Sequence, residues 1–393
     1  MELFCVLLDK MSVICYAFAE LCNSFYNNET QRIFPHVHMK EELPMSVITV
    51  VGSGQMGSAM SVPARHNGHE VRLVGTPLDR EVIDRLRVDN YHINLKRTLP
   101  EGCKYYQFEE MQEALEGADL LIGGVSSFGV DWFLENVLSV IPETLPVLSI
   151  TKGLINLEDG DLISYVDYYK EGTEKMGRKL SLNAVGGPCT SYELADKDPT
   201  EVCFCGDDIE LLRKFREMFR TPYYHISVSN DVLGVECAVA MKNAYALGVT
   251  LTVGMAEARE GKEGMLHYNS QAAVFGQSVK EMRRLLKHLN VHDDNIIFGA
   301  GDLYVTVYGG RTRMIGTLLG RGMSFPEAKA ALNGVTLESL VIATRSAAAV
   351  RRKIELGELK AEDFPLLLHC DDIINNGVEV NIPWQQFEED YEI

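Results

Sequence analysis

The sequence predicts an α/β domain with a parallel sheet, followed by an all-α domain. Three observations carry this. A short β-branched run, SVITVV at residues 46–51, ends in a glycine-rich turn that opens a helical pattern. Strand-like and helix-like segments then alternate for about 180 residues, as covered parallel sheets require. Beyond Asn230 strand signals become rare and long apolar helical stretches take over.

A chain of 393 residues is long for one core and favours two domains. The expected division is an N-terminal extension of uncertain structure at 1–44, an α/β domain at 45–230 and a helical domain at 231–393. Met45 stands directly before the first strand, and the fold is expected to begin there. The apolar run at 1–25 is interrupted by Asp9, Lys10 and Glu20. It lacks the uninterrupted core of a secretory signal and is too broken for a membrane span. Hydrophobic residues make up 46% of the chain, ordinary for a globular protein. A formal charge of −19 argues against a nucleic-acid or anionic-membrane surface, so positive charge that holds an anionic ligand must be local. Nine scattered cysteines without a C-x-x-C pair point to a reducing, cytoplasmic setting, and no metal-ligand spacing is present.

Element by element, the pattern predicts a strand at 46–51, a helix at 55–67 stopped by Gly68, and a strand at 70–74. It then gives a helix at 111–115, a strand at 119–124, a helix at 130–140 and strands at 146–150, 180–185 and 201–205. Cys203 and Cys205 fall on alternate positions of the last strand. The helical half is predicted as helices at 231–256, 271–289, 324–332, 337–355 and 364–375.

Gly52, Ser53, Gly54, Gln55, Met56 and Gly57 complete G-x-G-x-x-G after a strand and before a helix, within one βαβ unit. In that context the pattern marks a Rossmann-type dinucleotide site. Its first glycine permits the turn, the second lets the backbone approach a pyrophosphate, and the third lets helix and strand pack closely. The helix N-terminus offers N–H groups and partial positive charge to phosphates. The second strand lacks a terminal acid for ribose hydroxyls. Asp79 comes late, while Arg72, Thr76 and Arg80 are candidates for a 2′-phosphate. The expected cofactor is NAD or NADP, with the choice open.

Four further blocks follow in order: Ser149-Ile150-Thr151-Lys152-Gly153, Gly186-Gly187-Pro188 with Glu193, Met241-Lys242-Asn243-Ala244, and Gly301-Asp302-Leu303 with Thr306 and Gly309-Gly310-Arg311. Together with the glycine turn they resemble the NAD(P)-dependent glycerol-3-phosphate dehydrogenase family, from about Ser46 to Asn376. Such enzymes interconvert glycerol 3-phosphate and dihydroxyacetone phosphate. The resemblance implies catalytic roles for Lys242, Lys152 and Asp302, and substrate contacts at Lys152, Asn243, Thr306, Arg311 and Thr312. It implies cofactor contacts at the glycine turn, Thr76, Lys152, Arg311 and Glu338. The implied partner is a small phosphorylated substrate; the sequence leaves the oligomeric state open, with a homodimer as one candidate. Three features depart from the family pattern: Ser126 in place of a proline, Thr312 in place of an asparagine, and the segment Cys189-Thr190-Ser191-Tyr192 after Pro188.

Elementary chemistry supports the lysine independently. Lys242 sits in a helix of Val, Ala, Cys, Leu and Met, where an ammonium is costly unless paired. Desolvation lowers its pKa and a carboxylate such as Asp302 raises it, which suits a group that both gives and takes a proton. The competing readings of Lys242 are a snorkelling surface lysine and, for Asp302, a helix cap. The competing functions are another two-domain dehydrogenase, acting on a different polyol phosphate or a hydroxy acid, and a non-catalytic dinucleotide sensor.

Overall fold

The computed structural model describes residues 44–332, 335 and 337–390. The expected N-terminal extension at 1–44 lies outside them except for Pro44.

Eight strands form one sheet: β1 (Val47–Val51), β2 (Glu70–Val74), β3 (Cys103–Tyr106), β4 (Leu120–Gly123), β5 (Val147–Ser149), β6 (Leu182–Gly186), β7 (Thr200–Gly206) and β8 (Tyr224–Ser229). Their order across the sheet is β8-β7-β6-β5-β4-β1-β2-β3. β1 pairs in parallel with β2, from Val47 opposite Glu70 to Val51 opposite Val74, and with β4 on its other side. The parallel pairing continues through β2–β3, β4–β5 and β5–β6. β7 runs antiparallel to β6, and β8 runs parallel to β7.

Parallel strands covered on both faces must be apolar on both, and these are. Ile48, Val50, Leu120 and Ile122 pack into one core, while Val51, Leu121, Val147 and Ala184 pack into another on the opposite face. Cys203 and Cys205 share a face of β7 and are buried there, as their alternate spacing predicts.

The glycine turn leads into α1 (Gln55–Ala59). The single helix expected at 55–67 is in fact two, α1 and Ser61–His66, with Met60 between them. Pro63 has no N–H to offer the Ala59 carbonyl, which breaks the ladder at that point. Helices Arg80–Asp89, Tyr165–Lys175 and Ile209–Phe219 were not anticipated. The second opens on a capping box between Ser164 and Asp167, and the third on Asp208, whose carboxylate accepts from the N–H groups of Glu210 and Leu211.

The change from strands to helices falls between Ser229 and Val232. α2 (Val232–Glu260) begins on Asp231, whose side chain accepts from the Gly234 N–H at 3.0 Å. α2 is long and apolar enough to cross a membrane, but its apolar window is 89% buried. It is the core helix of this half. Around it pack α3 (Tyr268–His288), α4 (Ile296–Val307), α5 (Gly310–Gly320), α6 (Glu338–Glu355) and α7 (Pro365–Asn375). α4 and α5 were not anticipated because their glycines read as breakers. A Cβ on Gly320 would stand 2.1 Å from the Leu251 carbonyl oxygen, and one on Gly316 would stand 1.9 Å from the Thr250 hydroxyl. These glycines let α5 lie directly on α2.

Candidate active site

The C-terminal ends of β1, β4, β5 and β6 open onto a cleft of about 780 Å³ that the helical half closes from the other side. Open α/β sheets bind ligands at this edge.

The glycine turn forms one wall. Gly52 has φ +107°, and a Cβ there would stand 2.5 Å from the Gly124 carbonyl carbon. A Cβ on Gly57 would stand 2.2 Å from the Gly52 carbonyl oxygen. Both glycines are therefore dictated by backbone packing between β1, α1 and the end of β4. Gly54 is different: a Cβ there would meet only the Gly124 carbonyl oxygen, at 3.8 Å, an ordinary contact. Protein packing does not require glycine at 54, whereas a pyrophosphate lying against the backbone does. The turn thus fits the dinucleotide on an observation of its own.

The turn is braced from behind by a residue that sequence reasoning missed. His92 Nε2 donates to the Ser53 carbonyl at 2.8 Å, and its Nδ1 accepts from the Leu95 N–H at 3.0 Å. Burial holds this imidazole below its usual pKa, in keeping with the neutral form that these two bonds require. Gln55 donates to the Asn94 carbonyl in the same small hairpin. A histidine forty residues downstream carries no sequence signal for this role.

Along and after β2 the structure corrects one expectation. Arg72 is not available to a 2′-phosphate: its guanidinium is held by Glu70 and by the carbonyls of Ala114 and Glu116. Arg80 pairs with Glu109. Asp79 folds back, its carboxylate accepting from the N–H and hydroxyl of Thr76 at 2.9 and 2.7 Å. Glu338 opens α6, and its side chain lies outside the described residues.

Across the cleft three charged side chains meet. Asp302 is 1% exposed and divides its carboxylate between two ammonium groups. Oδ1 pairs with Lys242 of α2, and Oδ2 with Lys152 at 2.5 Å. Lys152 also donates to the Gly187 carbonyl at 2.7 Å. Lys152 follows β5, Gly187 follows β6, and Asp302 lies in the middle of α4. The cap reading of Asp302 is thereby corrected: residues on both sides of it are helical, and Gly301 is small because Pro188 packs there, with a Cβ on Gly301 standing 3.1 Å from Pro188 Cγ. The snorkelling reading of Lys242 is corrected too, because its side chain is 14% exposed and points into this assembly.

Burial pushes the Lys242 pKa down to about 8, Asp302 opposes that, and the neighbouring Lys152 ammonium reinforces it. Two cations on one carboxylate leave local positive charge inside a strongly acidic protein, facing the cleft.

The remaining expected substrate residues are gathered at the same place. Asn243, Thr306, Arg311 and Thr312 all line the cleft. The Thr306 hydroxyl donates back to the Asp302 carbonyl at 2.7 Å, which fixes its rotamer. Arg311 is exposed in the first turn of α5, directly after Gly309 and Gly310. Thr312 is buried beside it. Thr76 is not among the lining residues.

Comparison with known proteins gives the family. The family model described as NAD-dependent glycerol-3-phosphate dehydrogenase N-terminus matches residues 47–211, and the one described as its C-terminus matches residues 231–384. The NADP(+)-dependent glycerol-3-phosphate dehydrogenase of Archaeoglobus fulgidus is 31% identical over 284 residues, covering 72% of this chain and 82% of that protein. The glycerol-3-phosphate dehydrogenase [NAD(P)+] of Koribacter versatilis is 28% identical over 317 residues, covering 79% and 88%. A Plasmodium falciparum glycerol-3-phosphate dehydrogenase structure shares the fold, with a TM-score of 0.73 at 19% identity over 89% of this chain and 97% of that one. The structure from Coxiella burnetii gives 0.69 at 21% identity, over 87% and 98%. With both halves of the family model matched in order and a relative above 30% identity over most of its length, the chain belongs to the NAD-dependent glycerol-3-phosphate dehydrogenase family.

Proposed function

We propose that the protein interconverts sn-glycerol 3-phosphate and dihydroxyacetone phosphate, with NAD or NADP as hydride carrier and Lys242 as general acid and base. The observation that carries the residue roles is the Lys242–Asp302–Lys152 assembly, facing a cleft whose opposite wall is the glycine turn.

The dinucleotide, when bound, supplies the hydride acceptor or donor. Everything else falls to the chain. In oxidation the neutral Lys242 amine takes the C2 hydroxyl proton as the C2 hydride departs with its electron pair and the carbonyl forms. In reduction the Lys242 ammonium returns that proton. Asp302, held by two lysines, orients Lys242 and stabilises its charged form. Lys152 keeps an ammonium beside the oxygen on which negative charge develops. Arg311, with Asn243, Thr306 and Thr312 around it, grips the phosphate, for which its planar fork is suited. The 45–230 part holds the dinucleotide, and the 231–393 part, together with Lys152, holds the substrate.

Family membership favours this reading over the hydroxy-acid dehydrogenase and over the sensor without turnover. A homodimer is part of the same proposal. Ile297, Tyr304 and Tyr308, spaced along one side of α4 and its end, are all more than half exposed and support it; sedimentation at micromolar concentration reads the mass. A cytoplasmic location is supported by six cysteines that are free thiols among the described residues.

The direct test is the oxidation of NADH or NADPH by dihydroxyacetone phosphate, followed by absorbance. Turnover with at least one of them is expected. No turnover with either, from a protein that binds them, refutes the reading.

A further inference from the structure

The orientation of one peptide unit decides what the glycine turn offers a phosphate. In a trans peptide the C=O and the following N–H point in opposite directions. The Ser53 carbonyl and the Gly54 N–H belong to one such unit, and no peptide bond among the described residues is cis. Whatever draws the Ser53 carbonyl toward the interior therefore aims the Gly54 N–H toward the cleft, which Gly54 lines. That N–H has no acceptor among the described residues.

His92 draws the carbonyl inward. Ser53 and His92 are both fully buried, and Nε2 lies 2.8 Å from the Ser53 oxygen. The Leu95 N–H donates to Nδ1 at 3.0 Å, so Nδ1 is bare and the proton sits on Nε2. A proton on Nδ1 instead would set a bare Nε2 against the Ser53 carbonyl and favour turning the peptide over. One backbone N–H on the hairpin thus selects the tautomer, and the tautomer selects the peptide orientation.

The segment that carries His92 is built to deliver it. Tyr91–His92 and Arg97–Thr98 pair antiparallel, with His92 opposite Arg97. The Lys96 N–H closes the turn onto the His92 carbonyl at 2.7 Å, with Lys96 in the left-handed region at φ +56°. Such backbone costs a lysine roughly 1–2 kcal/mol, so docking holds the turn rather than its own preference. Leu95 and Leu99 anchor it in the core that holds Ile48 and Val50. Arg97 makes a two-point pair with Asp196 at 2.6 and 2.7 Å. At the tip the Asn94 carbonyl accepts from the Gln55 side chain at 2.7 Å, and Asn94 itself lines the cleft.

We propose that His92 is a positioning residue of the dinucleotide site: by holding the Ser53 carbonyl inward it presents the Gly54 N–H to the pyrophosphate. This rests on the dehydrogenase reading above. It adds to that reading a residue that touches no ligand and lies outside the glycine-rich pattern.

The test uses the full chain with His92→Asn and His92→Gln, each first checked for an unchanged thermal melt. The asparagine amide can still accept from Leu95 but is too short to reach Ser53, whereas the glutamine amide can donate to Ser53. His92→Asn is expected to weaken NADH, NADPH and ADP-ribose alike by about three- to tenfold, measured by fluorescence titration and competition. The KM for the dinucleotide rises by the same factor, while kcat and the KM for dihydroxyacetone phosphate at saturating cofactor stay unchanged. His92→Gln restores most of the loss. With 15N-glycine labelling, the Gly54 amide resonance is expected to move on addition of ADP-ribose to wild type, and to move less in His92→Asn. ADP-ribose affinity in His92→Asn within about twofold of wild type overturns the proposal. So does an equal loss in His92→Gln, and so does a Gly54 resonance that stays fixed when wild type binds ADP-ribose, a result that needs no variant to fold. A wild-type protein that binds neither dinucleotide nor ADP-ribose overturns the dehydrogenase reading itself, so the two failures are distinct.

Discussion

The Lys242 ammonium and the Asp302 carboxylate meet from sixty positions apart in the chain, each projecting from the interior of its own helix, α2 and α4. Neither residue is carried on a loop. Helix interiors hold side chains with little freedom, and proton transfer depends on geometry of that kind.

The pKa of about 8 at Lys242 sets a pH profile. Oxidation needs the amine and reduction needs the ammonium. The kcat/KM for glycerol 3-phosphate oxidation is expected to rise with pH through about 8, and that for dihydroxyacetone phosphate reduction to fall over the same range. Lys242→Ala should lower kcat by roughly 10²–10⁴ while NADH affinity stays unchanged. A variant within a few fold of wild type would remove Lys242 from the chemistry.

Neighbouring charge moves that limb in opposite directions. Asp302 raises the Lys242 pKa and Lys152 lowers it. Asp302→Asn is therefore expected to shift the limb to lower pH by about 1–3 units, and Lys152→Met to shift it upward. Both variants will be slow, so the midpoint of the residual profile is the measurement. Asp302→Asn should also melt earlier, because it leaves two ammonium groups facing each other without their counter-ion.

Two glycines of the turn, Gly54 and Gly57, should separate under substitution. Gly57→Ala drives a methyl into the Gly52 carbonyl and should cost roughly 1–3 kcal/mol or more of stability. Gly54→Ala has room within the protein and should melt close to wild type, yet lose dinucleotide affinity. Calorimetry and fluorescence titration on the two variants measure this directly. Tight NADH binding by Gly54→Ala would mean that the pyrophosphate does not lie against that backbone.

Glu236 predicts a dependence of stability on pH. It is buried in α2, with one carboxylate oxygen accepting from the Val166 N–H and the other without a partner among the described residues. Burial pushes its carboxyl up to about 8 from an ordinary 4.5. The folded chain then binds this proton more tightly than the unfolded chain does. The resulting stabilisation is full below pH 4.5 and is lost as the pH climbs to about 8. Glu236→Gln stays neutral throughout. It should melt higher than wild type at pH 9, with the difference shrinking toward pH 5. A constant difference across that range would place the titration elsewhere.

Much of this was legible in the sequence, and the exceptions have physical causes. β1, β4 and β5 are short apolar runs because a buried parallel strand has no wet face, and they were read to within a residue or two. β3 (CKYY) and β8 (YHISVS) lie at the two sheet edges, where one side meets solvent and polar residues interrupt the pattern. α4 and α5 were missed because glycine signals a break in a single sequence but a close helix contact in the fold. The site was legible as a set of blocks, and the structure gathers Lys152, Lys242, Asp302, Asn243, Thr306, Arg311 and Thr312 around one cleft. Periodicity could not distinguish the mid-helix position of Asp302 from a cap, nor reveal His92 behind the turn. The sequence position of Arg72, in the middle of β2, says nothing of the three acceptors around it.

The reversal of the last two strands has a consequence for how the catalytic lysine arrives. A sheet wound in parallel to its edge would release the chain where the ligand binds, and the next helix would travel away from it. Because β7 turns back and β8 follows it, the chain leaves the sheet at the rear margin, at Ser229. α2 then makes the return journey. Val235 and Val239 slide past Gly186, and one turn later Lys242 emerges beyond the rim, level with Lys152. Two reversed strands thus convert a nucleotide-binding sheet into one that aims its own acid–base group.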